Sequence, residues 1–273
     1  MFELFQAIVM GVIEGVTEFL PVSSTGHMII AQPLLGIDPE LPQWRVFLVV
    51  SQLGAIAAVI VYFWRKLWQA TFHPHQPGWS AHIIPKLLIA MAPAVLLQLV
   101  FKVNDLLEAY LEKPVPVAIA LIIGAFLIWW IDSAFRTRRR MEVDDVTLLQ
   151  AFLIGCAQCV AMCPGTSRSA ATIMGGMMVG LSPSIAAEFS FFLAIPTMFG
   201  ASAVRLWKYR GDLNTDGLAI ILIGAAVSFL VALLVIAAFM SYIKRRRFTA
   251  FVVYRILLGV TVLVWWRFAA QAA

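Results

Sequence analysis

Charge is what this sequence has least of. Only 13% of its 273 residues are Asp, Glu, Lys or Arg, against 62% hydrophobic. With a mean hydropathy of +0.89, that balance excludes a water-exposed globular surface. Acidic residues are the scarcer sign, 15 against 20 basic, but the excess does not describe a nucleic-acid stripe. The basic residues cluster as Arg65-Lys66, Arg136-Thr137-Arg138-Arg139-Arg140 and Lys244-Arg245-Arg246-Arg247, each just after an apolar run. That is the pattern of loops held at a cytoplasmic membrane face, and no nucleic-acid partner is expected. Cysteine is scarce too: Cys156, Cys159 and Cys163 fall in one short stretch without a second pair or a nearby His. They read as small packing residues, which removes a zinc or redox function. No basic region and small-residue cleavage site precede the first apolar run, so no cleavable signal is expected.

What the chain does have is apolar length. Continuous spans near residues 46–64, 83–101, 115–133, 186–204, 217–240 and 250–268 are long enough to cross a bilayer. Two further apolar regions, 3–36 and 148–181, are each broken in the middle, at Leu20-Pro21-Val22-Ser23-Ser24-Thr25-Gly26 and Cys163-Pro164-Gly165-Thr166-Ser167-Arg168-Ser169. Pro removes a backbone donor and Ser or Thr caps the helix that follows, so each region should be a helix, a break and a second helix. The arms are short for a full span, which favours re-entrant hairpins. The regions also resemble each other: Gly11-x-x-Glu14 then Pro21 matches Gly155-x-x-Gln158 then Pro164 with one residue fewer.

The expected fold is therefore all-α: a polytopic membrane protein with six transmembrane helices and two re-entrant hairpins, forming one integral-membrane domain over residues 1–273. Its repeats cover about 1–135 and 145–273. Three spans per copy is odd, so the second copy must be inverted relative to the first. Placing the basic clusters in the cytoplasm puts both termini and the mouth of the first hairpin outside. The hairpin tips can then meet near the midplane.

Six residues able to carry charge fall inside the membrane reading: Glu14, Glu18, His27, Arg168, Glu188 and Arg255. Each is costly in hydrocarbon. Glu14 and Glu18 share a helix face, and carboxylates about 6 Å apart repel by roughly 2.8 kcal/mol at an effective dielectric near 20. They need a shared proton or a bridging divalent cation, Mg2+ or Ca2+, unless Arg168 and Arg255 simply pair with them as internal glue. Ser23, Ser24 and Thr25 follow, then His27: a hydroxyl beside a carboxylate and an imidazole is the material of an activated oxygen nucleophile, although capping also explains some of these hydroxyls. The second break sets Ser167, Arg168, Ser169 and Thr172 at a helix start, where free amides, the positive dipole end and a guanidinium suit a phosphate. Together the two breaks describe phosphoryl transfer. Glu188 and Arg255 stay open between lining this cleft and pairing with each other. Gly11 with Gly15, and Gly176 with Gly180, have the spacing of close helix packing.

The run from Gly11 to His27, together with Pro164 to Thr172, resembles the two signature motifs of the undecaprenyl-diphosphate phosphatase family of the bacitracin-resistance type. The likeness extends through Glu188-Phe189-Ser190-Phe191 and Tyr254-Arg255. It implies a catalytic set of Glu14, Glu18, Ser24, His27 and Arg168. One departure is Ala170, where the motif usually has Gly. The implied enzyme removes the terminal phosphate of a polyprenyl diphosphate in a bacterial cytoplasmic membrane, and the charge bias places that reaction at the periplasmic or outer face. Ser24 would attack with Glu18 as base, while Glu14 and Glu18 hold a divalent cation. Ser23, Thr25, Ser167, Ser169 and Thr172 would bind substrate, and His27 would protonate the leaving oxygen or position the nucleophile. His27 or water as nucleophile, and a homodimer, stay open. The rival reading is a lipid flippase or anion transporter, since broken helices in inverted repeats are also transporter architecture. A phosphatidic-acid type of phosphatase would need a second intramembrane histidine, and His73, His75 and His82 fall in a loop region.

Overall fold

A helix closes its backbone hydrogen bonds within itself, which is what a chain crossing hydrocarbon requires, and in the computed structural model of this chain the described residues form helices joined by turns, with no strand among them. It describes residues 2–75, 77–101, 111, 113–136, 142–208, 210 and 215–272. Among these, the helices are α1 (Phe2–Thr17), α2 (Ser24–Leu34), α3 (Pro42–Tyr62), α4 (Trp64–Phe72), α5 (Ile83–Phe101), α6 (Pro114–Ala134), α7 (Leu148–Cys159), α8 (Arg168–Met178), α9 (Pro183–Lys208), α10 (Thr215–Arg245) and α11 (Thr249–Ala272). Six of them, α3, α5, α6, α9, α10 and α11, are long and apolar enough to cross a membrane, and they are the six spans read from the sequence. The protein is a multi-pass membrane protein. Pro42 and Pro114 stand in the first turn of α3 and α6, where the missing N–H costs nothing.

The two broken regions each fold back on themselves. Gln6 near the start of α1 donates to the carbonyl of Leu35 just past α2 at 2.8 Å, and Gln150 near the start of α7 donates to Val179 just past α8 at 3.0 Å. The correspondence holds at the breaks. Ser23 caps α2 by accepting from Gly26 N, and Ser167 caps α8 by accepting from Ala170 N. Among the described residues these two serines alone, outside glycine, have positive φ, 71° and 75°. Such a conformation costs about 1–3 kcal/mol at each and persists only where surroundings enforce it. Beyond each hairpin, Gly36 and Gly180 turn the chain at φ 65° and 94°. The cap serines keep the spacing of Gly11 and Gly155, so the one residue by which the second motif is shorter is confined to the stretch before Pro164.

Each hairpin packs on a helix from the other half of the chain. α1 lies on α10, and α7 lies on α5, while α3 meets α9 and α6 meets α11. Gly11 and Gly15 permit the first contact: a methyl at either would stand 2.7 Å from the carbonyl of Gly224 or Ser228. Gly176 is packed in the same way against Ala186, whereas Gly180 has open space around it and serves the turn. The basic ends of the helices gather at one face, where Arg136 after α6 donates to the carbonyls of Ile243 and Arg246 at the end of α10.

Candidate active site

The breaks leave carbonyls without helical partners, and one side chain collects them. Arg255 on α11 is fully buried. It donates to Pro21 O of the first break at 3.0 Å, to Gly165 O and Thr166 O of the second at 3.1 and 3.2 Å, and to Ala120 O and Leu121 O of α6 at 3.3 and 3.1 Å. Five bonds match the five donors of a guanidinium, which offsets the desolvation of a buried cation. Gly124 makes room, since a Cβ there would overlap the guanidinium. Ser169 adds a direct tie, donating across to Leu20 O at 2.7 Å. The two turns are thereby held as one unit. Arg255 therefore neither lines the cleft nor pairs with Glu188.

Between the breaks lies a cavity of about 290 Å3. Glu18, Ser23, Ser24 and Thr25 line it from the first break, with Gln158, Cys163, Ser167 and Arg168 from the second; Gln52, Thr197 and Arg205 add polar groups from α3 and α9. Ser24 Oγ donates to Glu18 Oε2 at 2.5 Å, and Arg168 Nη2 holds the other oxygen, Oε1, at 3.3 Å. Arg168 also donates to Ser190 O at 3.2 Å and lies over the Phe19 ring. The result is a hydroxyl aimed by a carboxylate that is itself braced by a guanidinium. Glu14 sits one turn back against Glu18, buried, and its Oε1 has no hydrogen-bond partner among the described residues.

His27, Ser169 and Thr172, expected in the site, do not line this cavity. His27 faces α11: Nδ1 lies 2.7 Å from Ser23 O, Nε2 lies 2.6 Å from Tyr254 Oη, and the two rings stack. With Nδ1–H donating to the carbonyl, Nε2 accepts from the tyrosine, so both ring nitrogens are spent on steadying the Ser23–Ser24 turn and neither is left for Ser24 or Glu18. Ser169 and Thr172 are fully buried and spent within the protein, Thr172 Oγ1 meeting Ser190 Oγ at 2.6 Å. Ser167 and Ser23 reach the cavity wall while capping their helices. Glu188 belongs elsewhere altogether, paired with Lys66 Nζ at 2.6 Å. Conversely, Gln52, Gln158, Thr197 and Arg205 were not singled out for the site from the sequence. Gln158 carried the one available signal, since it occupies in the second broken region the place of Glu14 in the first.

The match to known proteins is nearly complete in length. The family model described as Bacitracin resistance protein BacA matches residues 7–261. The chain belongs to this family. Its relatives include an undecaprenyl-diphosphatase of Pseudomonas paraeruginosa strain PA7, 42% identical over 264 residues, covering 97% of this chain and 94% of the relative. An undecaprenyl-diphosphatase 2 of Rhodospirillum rubrum is 46% identical over 260 residues, covering 95% and 94%. One from Streptococcus agalactiae is 42% identical over 276 residues, covering 97% and 96%. The BacA match takes in both breaks and Arg255, so the joined turns lie wholly inside the family's span.

Proposed function

We propose that this chain is an integral-membrane phosphatase that hydrolyses undecaprenyl diphosphate to the monophosphate carrier and inorganic phosphate, recycling the lipid for cell-wall synthesis and conferring bacitracin resistance. The observation that carries the mechanism is the Ser24–Glu18–Arg168 chain at the cavity between the two breaks. Ser24 Oγ attacks the terminal phosphorus as its proton passes to Glu18. The bond from that phosphorus to the bridging oxygen breaks, and the lipid monophosphate leaves with that oxygen, which takes the proton held by Glu18. Water then displaces the phosphoryl group from Ser24: Glu18, again a carboxylate, takes a proton from the water and returns it to Ser24 Oγ as inorganic phosphate departs. Arg168 and the Ser167 hydroxyl face the phosphoryl oxygens, where fixed donors act on charge as it develops. Thr25 and Arg205 extend this polar wall for the second phosphate. His27 acts through the backbone of the nucleophile's turn.

A divalent cation suits one part of this site. Glu14 presents a buried carboxylate oxygen without a donor beside Glu18, and one or two carboxylates plus substrate phosphate oxygens are the usual Mg2+ set. Glu14 and Glu18 would hold Mg2+ or Ca2+, whose chemistry is to neutralise charge on the diphosphate. Two features of placement accompany the reaction. The paired caps, the paired Gln-to-carbonyl bonds and the crossed packing of each hairpin on the other half support re-entrant hairpins in inverted repeats. The gathering of basic loops at the face away from Arg205 supports a cavity that opens to the periplasm or outer side.

Phosphate release from undecaprenyl diphosphate by purified protein, with and without chelator, tests the reading. Wild type should release phosphate and lose activity on chelation, with activity restored by Mg2+ or Ca2+. Glu18→Ala and Arg168→Ala should each fall by about 10^2- to 10^4-fold. A folded wild type that releases none would overturn the phosphatase and return transport to first place.

A further inference from the structure

Among the described residues there is a cavity larger than the one between the breaks. It lies at the basic face, with a volume of about 720 Å3, and its walls include Trp64, Arg65, Lys66, Glu142, Glu188 and Lys244. It is remote from the reaction. Glu188 and Arg205, which mark the two cavities, stand at opposite ends of α9, about 25 Å apart by helix rise. Between them, Phe19, Phe63, Phe191 and Phe192 pack ring against ring in the core. Nothing in the phosphatase mechanism uses this second chamber.

Its chemistry is specific. Glu188 is 2% exposed; its Oε2 takes the Lys66 ammonium at 2.6 Å, and its Oε1, equally buried, has no hydrogen-bond partner among the described residues. A buried carboxylate oxygen left without a donor costs free energy, and it calls for a ligand that brings an N–H or O–H donor. Beside Glu188 the walls carry three basic side chains, Arg65, Lys66 and Lys244, against one further acid, Glu142. A ligand that uses both signs must carry an anion and a hydrogen-bond donor close together, and a cationic N–H donor meets a carboxylate more strongly than a neutral hydroxyl.

The neighbourhood gives its depth. α4 opens the cavity wall and carries Trp64, Trp68 and Phe72 one turn apart along one face, the rings 6.0 and 4.6 Å apart and each half or more exposed. An aromatic row on a short amphipathic helix with Arg65 and Lys66 on its flank is the composition of a helix lying at the membrane–water interface. Phospholipid headgroups occupy that level.

We propose that this chamber binds the headgroup of an amine-bearing phospholipid, an ethanolamine phospholipid, with its phosphate on Arg65 and Lys244 and its primary ammonium donating to Glu188 Oε1. A choline headgroup has the same charges but no N–H. A glycerol headgroup has hydroxyl donors but no cation to meet the carboxylate. Neither brings a cationic N–H to Glu188.

Binding to the full-length protein in detergent, read by native mass spectrometry, tests this with four probes: ethanolamine, choline and glycerol phospholipids of one acyl composition, and soluble glycerophosphoethanolamine. Wild type should prefer the ethanolamine lipid over the choline lipid by at least about tenfold, the scale of one charge-assisted hydrogen bond. Glu188→Gln should erase that preference while phosphate release from undecaprenyl diphosphate continues. Lys244→Ala, a change at an exposed site that spares the core, should weaken ethanolamine and glycerol lipids together by about threefold or more. Equal binding of the ethanolamine and choline lipids by wild type, or a preference that survives Glu188→Gln, would overturn the site. Binding of glycerophosphoethanolamine as tight as that of the lipid would overturn its assignment to the membrane.

Discussion

At the scale of single residues, the site separates groups that act on phosphate from groups that hold the actors in place. Glu18→Gln keeps the size of the side chain and its contact with Arg168 but removes the base, so kcat should fall by about 10^2- to 10^4-fold with KM little changed. Arg168→Lys keeps the charge and loses the fork that spans Glu18 and Ser190 O; it should cost nearly as much as Arg168→Ala, which a charge-only role would not require. Gln158 is a different case. Its side chain lines the cavity, where the amide N–H2 can donate to a phosphoryl oxygen, so Gln158→Leu should lower kcat/KM by roughly tenfold, one hydrogen bond's worth, and leave folding intact. Steady-state kinetics on these three variants, beside thermal unfolding, distinguishes the roles.

At the scale of elements, the notable device is that two interrupted helices a long way apart in sequence are closed by one guanidinium. Arg255→Ala would strand the carbonyls of Pro21, Gly165 and Thr166 in a dry interior, and Arg255→Lys could serve only part of them. Both should lower the unfolding temperature and abolish activity, and Gly124→Ala should reproduce the defect without touching any polar group, because it evicts the guanidinium. Unchanged unfolding in Gly124→Ala would show that the guanidinium has another resting place. The breaks themselves were legible, since Pro with Ser, Thr and Gly inside an apolar run is a local signal, and so were the six spans. The clamp was not. Arg255 bears no local mark of the carbonyls it meets, and its partners come from three other segments. The same holds for Glu188: an acid early in an apolar helix reads alike whether it faces a reaction or a lysine on α4. His27 shows the limit of spacing arguments, because one turn past the break places it near Ser24 in sequence while the turn at Ser23 aims it at Tyr254. The hydroxyls Ser169 and Thr172, expected to touch substrate, are consumed in joining helices.

At the scale of the whole molecule, the charge pattern and the site make one joint statement about direction. Arg65, Lys66, Arg136 and Lys244 come to one face, which also carries a tether between the loop after α4 and the turn before α7. There, Asp144 accepts from both the backbone N–H and the ring of His75 at 2.8 Å. Burial pushes the Asp144 carboxyl up, but the His75 hydrogen bonds outweigh it and hold it below its ordinary value of 3.8, while the hydrogen bond and charge of Asp144 raise His75 above 6.5. The His75 contribution is complete below about pH 6.5 and fades as pH rises through its raised value; the Asp144 contribution is complete above about pH 4 and fades as pH falls through its lowered one. Protection of the Trp79–Ala81 amides, exchange relative to the intrinsic rate at each pH, should therefore be greatest between these limits and fall toward pH 9, and His75→Ala should flatten that dependence.

The opposite face can be read through a native thiol. Cys163 lines the cavity beside Arg168 and Ser24, whereas Cys156 and Cys159 lie on α7 outside it. With Cys156 and Cys159 replaced by Ala, a membrane-impermeant thiol reagent added to intact cells or spheroplasts should label Cys163 and inhibit phosphate release. A non-hydrolysable diphosphonate analogue should protect it, because ligand and reagent compete for the same small volume. Cys163→Ser should make the enzyme indifferent to the reagent while retaining activity, since the sulfur itself takes no part in the chemistry. Labelling that occurs only in inside-out vesicles would reverse the orientation and put the basic loops outside, against the charge bias. Labelling from either side, with protection from both, would mean that the cavity between the breaks changes the face to which it opens, and the phenylalanine packing between it and the basic-face chamber would then be the element that moves.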